Sequence, residues 1–235
     1  MNILAIDTAT NVMGVALMKD GQVLGEMITN LKKNHSVRLM PALHHLMEEV
    51  DMKPEDLDQI VVSKGPGSYT GVRIGLSTAK AMAWALDIPI VGVSTLEQLA
   101  FQGSNSSLLI SPFIDARRDS VFTGLYRFEK GRLSLVAREQ HVKMADWLEA
   151  LREKGEEILF VSPDMPLYEE RIRESLGEFA GILGSSRQLG RPSDLIEAAK
   201  DKEADDLHSL TPNYLRLAEA EVNWLKAQKG KEAHE

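Results

Sequence analysis

The same order of predicted elements occurs twice in this chain, once in each half, and this repeat restricts the folds that the chain can adopt. Each copy opens with an apolar strand that ends on an aspartate, in Ile6-Asp7-Thr8-Ala9 and in Ile114-Asp115-Ala116-Arg117. A second strand, a turn with lysine and glycine, and a third strand follow in both copies. With 235 residues, the chain is long enough for one large domain or two modest ones. We therefore expect two related three-stranded meanders.

A duplicated meander with an aspartate at the end of each first strand is typical of the actin-like ATPase (ASKHA) fold. The first half continues with a helix, a strand, a second helix and another strand, an order that indicates a mixed sheet with helices packed on it. We predict an α/β protein with two related mixed-sheet subdomains, the second degenerate. The expected boundaries are residues 1–97, 98–211 and a C-terminal segment 212–235, whose charged end from Lys226 we expect to be disordered.

Composition excludes several classes of function. The chain has no cysteine, so it can form neither disulfides nor a thiolate metal site. No apolar stretch approaches the ~20 residues of a membrane span, and the N-terminus lacks the basic region of a secretory signal. These features predict a cytoplasmic protein without membrane contact. The net charge of -8 argues against a broad basic face for nucleic acid, so we expect any contact with tRNA to be indirect, through a partner.

Two segments have side chains suited to a nucleotide, and each also has a purely structural interpretation. Asp7, with Thr8 and Thr10, ends a central strand where open sheets bind ligands. These residues form either a relic nucleotide site or a turn whose side chains bond nearby backbone amides. The glycine-rich loop 65–70 precedes a helix, so it is either an anion site or a tight turn capped by Ser68 or Thr70.

Two predicted helices, 34–51 and 69–86, each have a second apolar or small-residue stripe in addition to the stripe expected in the core. A surface helix needs only one such stripe, so the second indicates contact with another chain. The alternative is that both stripes are buried within the domain. We expect Pro41 to bend the first helix. The predicted partner interface consists of Val37, Met40, His44 and Met47 from the first helix, and Gly71, Gly75, Thr78 and Met82 from the second.

The segment 63–83, which contains Gly65-Pro66-Gly67-Ser68-Tyr69-Thr70-Gly71 and Arg73, resembles the TsaB (YeaZ) family of bacterial tRNA threonylcarbamoyladenosine synthesis. Further stretches agree in order along nearly the whole chain: Ala5 to Thr10 with Val15 to Leu17, His35-Ser36 with Leu39 and Pro41, Ile114 to Arg117, and Thr211-Pro212 with Tyr214 to Arg216. The resemblance implies a non-catalytic scaffold subunit that binds the catalytic subunit TsaD and the ATPase TsaE. Together these place a threonylcarbamoyl group on the adenosine next to the anticodon of tRNAs that read codons starting with A. Alone, the chain would form a homodimer through the same helices.

The related catalytic subunit TsaD has a His-x-x-x-His metal pair after the next strand, and this sequence departs from that pattern. The corresponding positions, Ser94-Thr95 and Gln98-Leu99, contain no histidine, so the iron or zinc of the relative has no anchor here. We therefore assign no catalytic, cofactor-binding or metal-binding residue to this chain; ATP and a metal belong to the catalytic partner. The alternative is an independent enzyme, either an actin-like ATPase or kinase that uses Asp7 and the glycine-rich loop, or a metalloprotease.

Overall fold

Two five-stranded mixed sheets form the frame of the structure, a computed structural model that describes residues 1–215. The strand order is β3-β2-β1-β4-β5 in the first sheet and β8-β7-β6-β9-β10 in the second. In both sheets the first three strands are antiparallel and the last two are parallel to the central one. The strands are β1 Asn2–Asp7, β2 Val12–Lys19, β3 Gln22–Asn30, β4 Gln59–Ser63, β5 Ile90–Val93, β6 Leu109–Asp115, β7 Ser120–Glu129, β8 Arg132–Lys143, β9 Ile158–Val161 and β10 Ala180–Ile182. This duplicated topology confirms the predicted α/β class and actin-like fold.

Helices cover both faces of each sheet. The α-helices of residues 1–215 are α1 Leu39–Glu49, α2 Tyr69–Leu86, α3 Thr95–Ala100, α4 Met144–Arg152, α5 Glu169–Leu176 and α6 Pro192–Ala199. One core lies between the first sheet and α1 with α2, and α6 packs on the opposite face of that sheet. In the second sheet, α4 and α5 cover one face, and α3 packs on the other. Within the described residues, no helix is long and apolar enough to cross a bilayer.

The predicted first helix is divided into two parts, which changes the role of Pro41. A 3-10 turn, His35–Val37, is capped by the Asn34 side chain, and α1 begins only at Leu39. Pro41 therefore lies in the first turn of α1, where a backbone N–H has no acceptor within the helix. The expectation that Pro41 bends the helix is wrong for this reason.

The chain returns to the first sheet near its C-terminal end, which corrects the expected domain boundary at residue 211. Helix α6 packs against β1, β2, β4 and β5, and Leu210 is buried in the core beneath α1 and α2. Residues 192–210 therefore belong structurally with the first sheet. Without α6, the apolar side chains on the back face of this sheet would be exposed to water. The predicted disordered end, from Lys226, lies outside the described residues.

Candidate partner surface and interdomain cleft

The side chains of the proposed relic nucleotide site are engaged by their own surroundings. Asp7 is buried, and its Oδ1 accepts a hydrogen bond from the Ala9 backbone N–H at 2.9 Å. Burial raises the pKa of the Asp7 carboxyl, although this hydrogen bond acts in the opposite direction. Thr8 Oγ1 donates to the Gly71 carbonyl at 2.7 Å, and Thr10 Oγ1 accepts from the Val12 N–H at 3.1 Å. All three side chains therefore stabilise the β1–β2 turn and its contact with α2.

A polar cleft of about 500 Å³ lies where the two sheets face one another. Of the three candidate residues, only Thr10 lines this cleft. The other polar residues of its lining come from both halves of the chain: Asn11, Ser68, Tyr69, Thr70, Asp115, Arg117 and Asp164. The cleft occupies the position in which an open α/β sheet would hold a ligand, at the carboxyl ends of β1 and β6.

The glycine-rich loop at the edge of this cleft is a tight turn between a strand and a helix. The Ser68 N–H donates to the Ala9 carbonyl at 2.6 Å, and the Ser68 hydroxyl accepts from the Gly71 N–H at 3.2 Å as the N-cap of α2. A Cβ at Gly67 would lie only 2.1 Å from the Ala9 carbonyl oxygen, so only glycine allows this approach. The structural interpretation, with Ser68 as the cap, accounts for this loop.

The carboxylate of Asp115, the counterpart of Asp7 in the second half, accepts one hydrogen bond from its own turn and one from the distant Tyr168. Its Oδ1 accepts from the Tyr168 hydroxyl at 2.7 Å and from the Arg117 N–H at 3.1 Å. Asp164 accepts from the Asp115 N–H at 2.9 Å, and its pKa is raised chiefly by burial. The backbone of Arg117 has a φ of 65°, in the left-handed region, so the turn that follows β6 is shaped without glycine.

The positions that correspond to the metal pair of the catalytic relative contribute to packing here. Ser94 is the N-cap of α3, and the Thr95 hydroxyl is 2.7 Å from that of Ser63. Gln98 is fully buried and donates to the Arg191 carbonyl, while Leu99 belongs to the core between α3 and the second sheet. In the part of the chain that the structure describes, no group of three His, Cys, Asp or Glu side chains could hold a metal ion.

Three of the four interface residues predicted near α1 are exposed. Val37 is 68% exposed and Met40 is 52% exposed, and His44 lies on the solvent side, 3.3 Å from Glu48. Met47 is buried in the first core, so its inclusion in the interface was wrong. The helix turns Met47 toward the sheet because it lies on the same side as Leu43 and Leu46.

The glycines of α2 allow an approach within the chain rather than between chains. A Cβ at Gly71 would lie 2.2 Å from the Thr8 carbonyl oxygen, and one at Gly75 would lie 2.4 Å from Thr8 Oγ1. Both glycines are buried, which corrects their assignment to a partner interface. Thr78 and Met82 are half-buried, and Met82 packs against the first core. The exposed side of α2 is therefore a different one.

Sequence reasoning missed the most exposed large side chain of α2, Trp84, which is 72% exposed. Arg73 and Ser77 are exposed on the same helix, and their helical spacing from Trp84 was the available signal. At the N-terminal end, the Arg73 guanidinium lies 3.9 Å from the Tyr69 ring centroid and donates to the Tyr214 hydroxyl at 2.8 Å. The rings of Tyr69 and Tyr214 are stacked at 5.6 Å. Tyr214, near the end of the described residues, thus contributes to this surface.

Comparison with known proteins agrees with this architecture. The protein from Bacillus subtilis (strain 168) called tRNA threonylcarbamoyladenosine biosynthesis protein TsaB is 53% identical over 230 residues, which cover 97% of this chain and 100% of that protein. The TsaB protein of Escherichia coli (strain K12) is 36% identical over 130 residues, which cover 54% of this chain and 55% of that protein. The solved structure of YeaZ from Pseudomonas aeruginosa superposes with a TM-score of 0.76 at 27% identity, covering 91% of this chain and 99% of the other.

A family model described as TsaD, tRNA N6-adenosine threonylcarbamoyltransferase, matches residues 22–224. This match covers most of the chain and agrees with the duplicated topology of the two sheets. The near-complete match to the Bacillus subtilis protein identifies the branch within that wider group. The chain therefore belongs to the TsaB family.

Proposed function

We propose that this chain is a non-catalytic scaffold subunit in the synthesis of threonylcarbamoyladenosine in tRNA. It binds a TsaD-like catalytic subunit through the exposed side of α1 and α2. The observation that supports this most directly is the exposure of Val37 in the turn before α1, Met40 on α1 and Trp84 on α2. Both helices cover the same face of the first sheet. Burial in an interface would remove these large apolar side chains from water.

The other partners follow from the same proposal. A TsaE-like ATPase joins the larger assembly, and tRNA is contacted indirectly, through the complex. Without its catalytic relative, the chain forms a homodimer through the same surface. We propose a cytoplasmic location because tRNA modification requires access to tRNA, and because a chain without cysteine does not depend on oxidation for its stability.

The test uses two matched substitutions. Val37→Ser and Leu167→Ser each remove an apolar side chain that is 68% exposed, but Leu167 lies in the second half of the chain, away from α1 and α2. We expect Val37→Ser, and more strongly Trp84→Ser, to weaken binding to the catalytic relative. Tryptophan is a common hot-spot residue, so its loss would cost about 2 kcal/mol or more, roughly a thirtyfold change in affinity. Calorimetry gives the affinities, and circular dichroism controls for folding.

The outcome that contradicts this interface is equal binding by the wild type, Trp84→Ser and Leu167→Ser. Reconstitution of the tRNA modification with and without this chain tests the broader function. The alternative, an independent ATPase, kinase or metalloprotease, predicts turnover by the purified chain alone. The local hydrogen bonds of Asp7, Thr8 and Thr10 favour the scaffold over a kinase, because those side chains already have acceptors or donors within the fold.

A further inference from the structure

Glu139, a half-buried residue of β8, accepts hydrogen bonds from three separate parts of the molecule. Its Oε1 accepts from the Ser94 hydroxyl and from the Tyr126 hydroxyl, the latter at 2.5 Å. Its Oε2 accepts from the Asn213 side-chain amide at 3.1 Å. A carboxylate has about four acceptor positions and makes stronger hydrogen bonds than a neutral acceptor, so one side chain can hold all three donors.

The three donors belong to different structural units. Ser94 directly follows β5 of the first sheet and caps α3, which packs on the second sheet. Tyr126 lies on β7 of the second sheet. Asn213 lies in the C-terminal segment, here defined as residues 203–214, and its N–H also donates to the Lys64 carbonyl at 2.7 Å. Glu139 thus connects both sheets and the C-terminal segment at one point.

We propose that Glu139 is a positioning residue, which fixes the two subdomains and the C-terminal segment in the arrangement that presents the partner surface. Relative motion of domains is the default unless their interface is large and hydrophobic, and hinge closure is a common motion of two-lobed proteins. Hydrogen bonds from both subdomains to one carboxylate oppose such motion.

The connection to the partner surface runs through two adjacent residues. Asn213 is held by Glu139, and its neighbour Tyr214 stacks on Tyr69 and accepts a hydrogen bond from Arg73 of α2. Loss of the carboxylate would release Asn213 and loosen the position of Tyr214 on α2. The second subdomain would then affect partner binding without touching the partner. This part of the inference rests on the proposed function.

The first test measures the distance between subdomains and does not depend on any partner. Because the chain has no cysteine, two introduced cysteines are the only sites that a thiol-reactive spin label can modify. Glu55→Cys in the first subdomain and Glu153→Cys in the second place both labels at exposed positions. We expect Glu139→Ala to broaden or shift the distribution of distances between the two labels, measured by pulsed electron paramagnetic resonance. The matched control is Glu129→Ala, an exposed glutamate at the end of β7, which should leave the distribution unchanged. Identical distributions for Glu139→Ala and wild type would overturn the inference.

Two milder variants keep the test decisive if Glu139→Ala does not fold. Tyr126→Phe and Asn213→Ala each remove one donor, and each should broaden the distribution less than the loss of the carboxylate. Circular dichroism and thermal melting separate this effect from unfolding. If both milder variants are folded and have the wild-type distribution, Glu139 does not fix the arrangement.

The second test measures affinity for the TsaD-like subunit. We expect Asn213→Ala to weaken binding about tenfold, since Tyr214 loses its support, while Glu129→Ala binds as the wild type does. A broadened distance distribution with unchanged affinity would overturn the positioning of the partner surface and leave the connection between subdomains supported. If the wild type itself does not bind the catalytic relative, the proposed function fails, and the spin-label experiment still decides the role of Glu139.

Discussion

A methyl group at position 75 would lie 2.4 Å from Thr8 Oγ1, while its next neighbours are at an ordinary 3.7 Å. At the residue scale, this contact explains why α2 tolerates a glycine in its interior, where glycine costs roughly 1 kcal/mol relative to alanine. The Thr8 hydroxyl needs the space because it donates to the Gly71 carbonyl. The turn after β1 is thereby fastened to the helix.

The first prediction concerns Gly75→Ala, which we expect to destabilise the fold by up to about 2 kcal/mol. Overpacking costs about 1–3 kcal/mol, and the higher helix propensity of alanine offsets about 1 kcal/mol of that cost. In a Thr8→Ala background the clash is absent, so the same substitution should be neutral or stabilising by up to about 1 kcal/mol. Urea unfolding of the wild type, Gly75→Ala, Thr8→Ala and the double variant gives the coupling free energy between the two positions. Equal costs in both backgrounds would contradict the assigned contact.

The second prediction concerns Asp194 in the first turn of α6. Burial raises its pKa to about 6 from 3.8, although the Gln102 amide donates to the carboxylate and lowers the pKa in part. The folded state therefore binds this proton more tightly than the unfolded state. The resulting stability is fully present below about pH 4 and is lost as the pH rises through about 6, a difference of at most about 3 kcal/mol.

We expect Asp194→Asn to remove this pH dependence, so the gap in unfolding free energy between variant and wild type should change between pH 4 and pH 7. Comparison of the two proteins at each pH cancels the contributions of other buried acids. Asp146→Asn is the control, because Asp146 is also an acid in the first turn of a helix but is exposed. A constant gap across this range would show that Asp194 does not titrate as described.

At the scale of elements, the C-terminal segment protects the open edge of the first sheet. The Asp205 N–H donates to the Ile90 carbonyl at 2.9 Å, and its carboxylate accepts from the Gly92 N–H at 2.7 Å. Beyond it, Leu210 packs directly on Gly92, where a Cβ would lie 2.9 Å from the leucine Cδ1. Lys80 of α2 donates to the Leu210 carbonyl. An unpaired strand edge is thereby covered.

The third prediction tests this anchor. Leu210→Ala should lower the free energy of unfolding by about 2–4 kcal/mol, because it leaves a cavity between β5 and α2. Leu135→Ala removes the same atoms from an exposed position of β8 and should change stability by less than about 0.5 kcal/mol. Chemical denaturation of both variants provides the comparison. Similar stabilities would indicate that the segment covers the edge without contributing to the core.

For the molecule as a whole, the fourth prediction is that the purified chain neither hydrolyses ATP nor retains a stoichiometric metal. The Asp7 carboxylate accepts from its own turn, the Asp115 carboxylate accepts from its own turn and from Tyr168, and positions 94–99 contain no histidine. Elemental analysis after gentle purification and calorimetry with magnesium and ATP are the measurements. About one iron or zinc per chain, or turnover that Asp7→Ala abolishes without unfolding, would contradict the scaffold proposal.

Local patterns in the sequence were sufficient for much of the fold. The bounds of α2 coincide with the predicted helix 69–86, and the aspartates end β1 and β6 as expected. Apolar runs, turn residues and helix caps involve residues that are close together in sequence, so these elements can be predicted from the sequence. The repeat of meanders then determined the pairing of strands, and the glycine-rich segment determined the family.

The side of each helix that is exposed, and the distant residues that meet, depend on how the elements pack in three dimensions. A helical wheel gives the spacing of Gly75, Met82 and Trp84 around an axis, but it does not state where the sheet lies relative to that axis. Helices α3 and α6, strand β10 and the contacts of Glu139 were likewise not predicted. These features depend on residues that are far apart in sequence, such as Ser94 and Asn213, which both donate to Glu139. A local sequence pattern does not predict which distant residues come into contact.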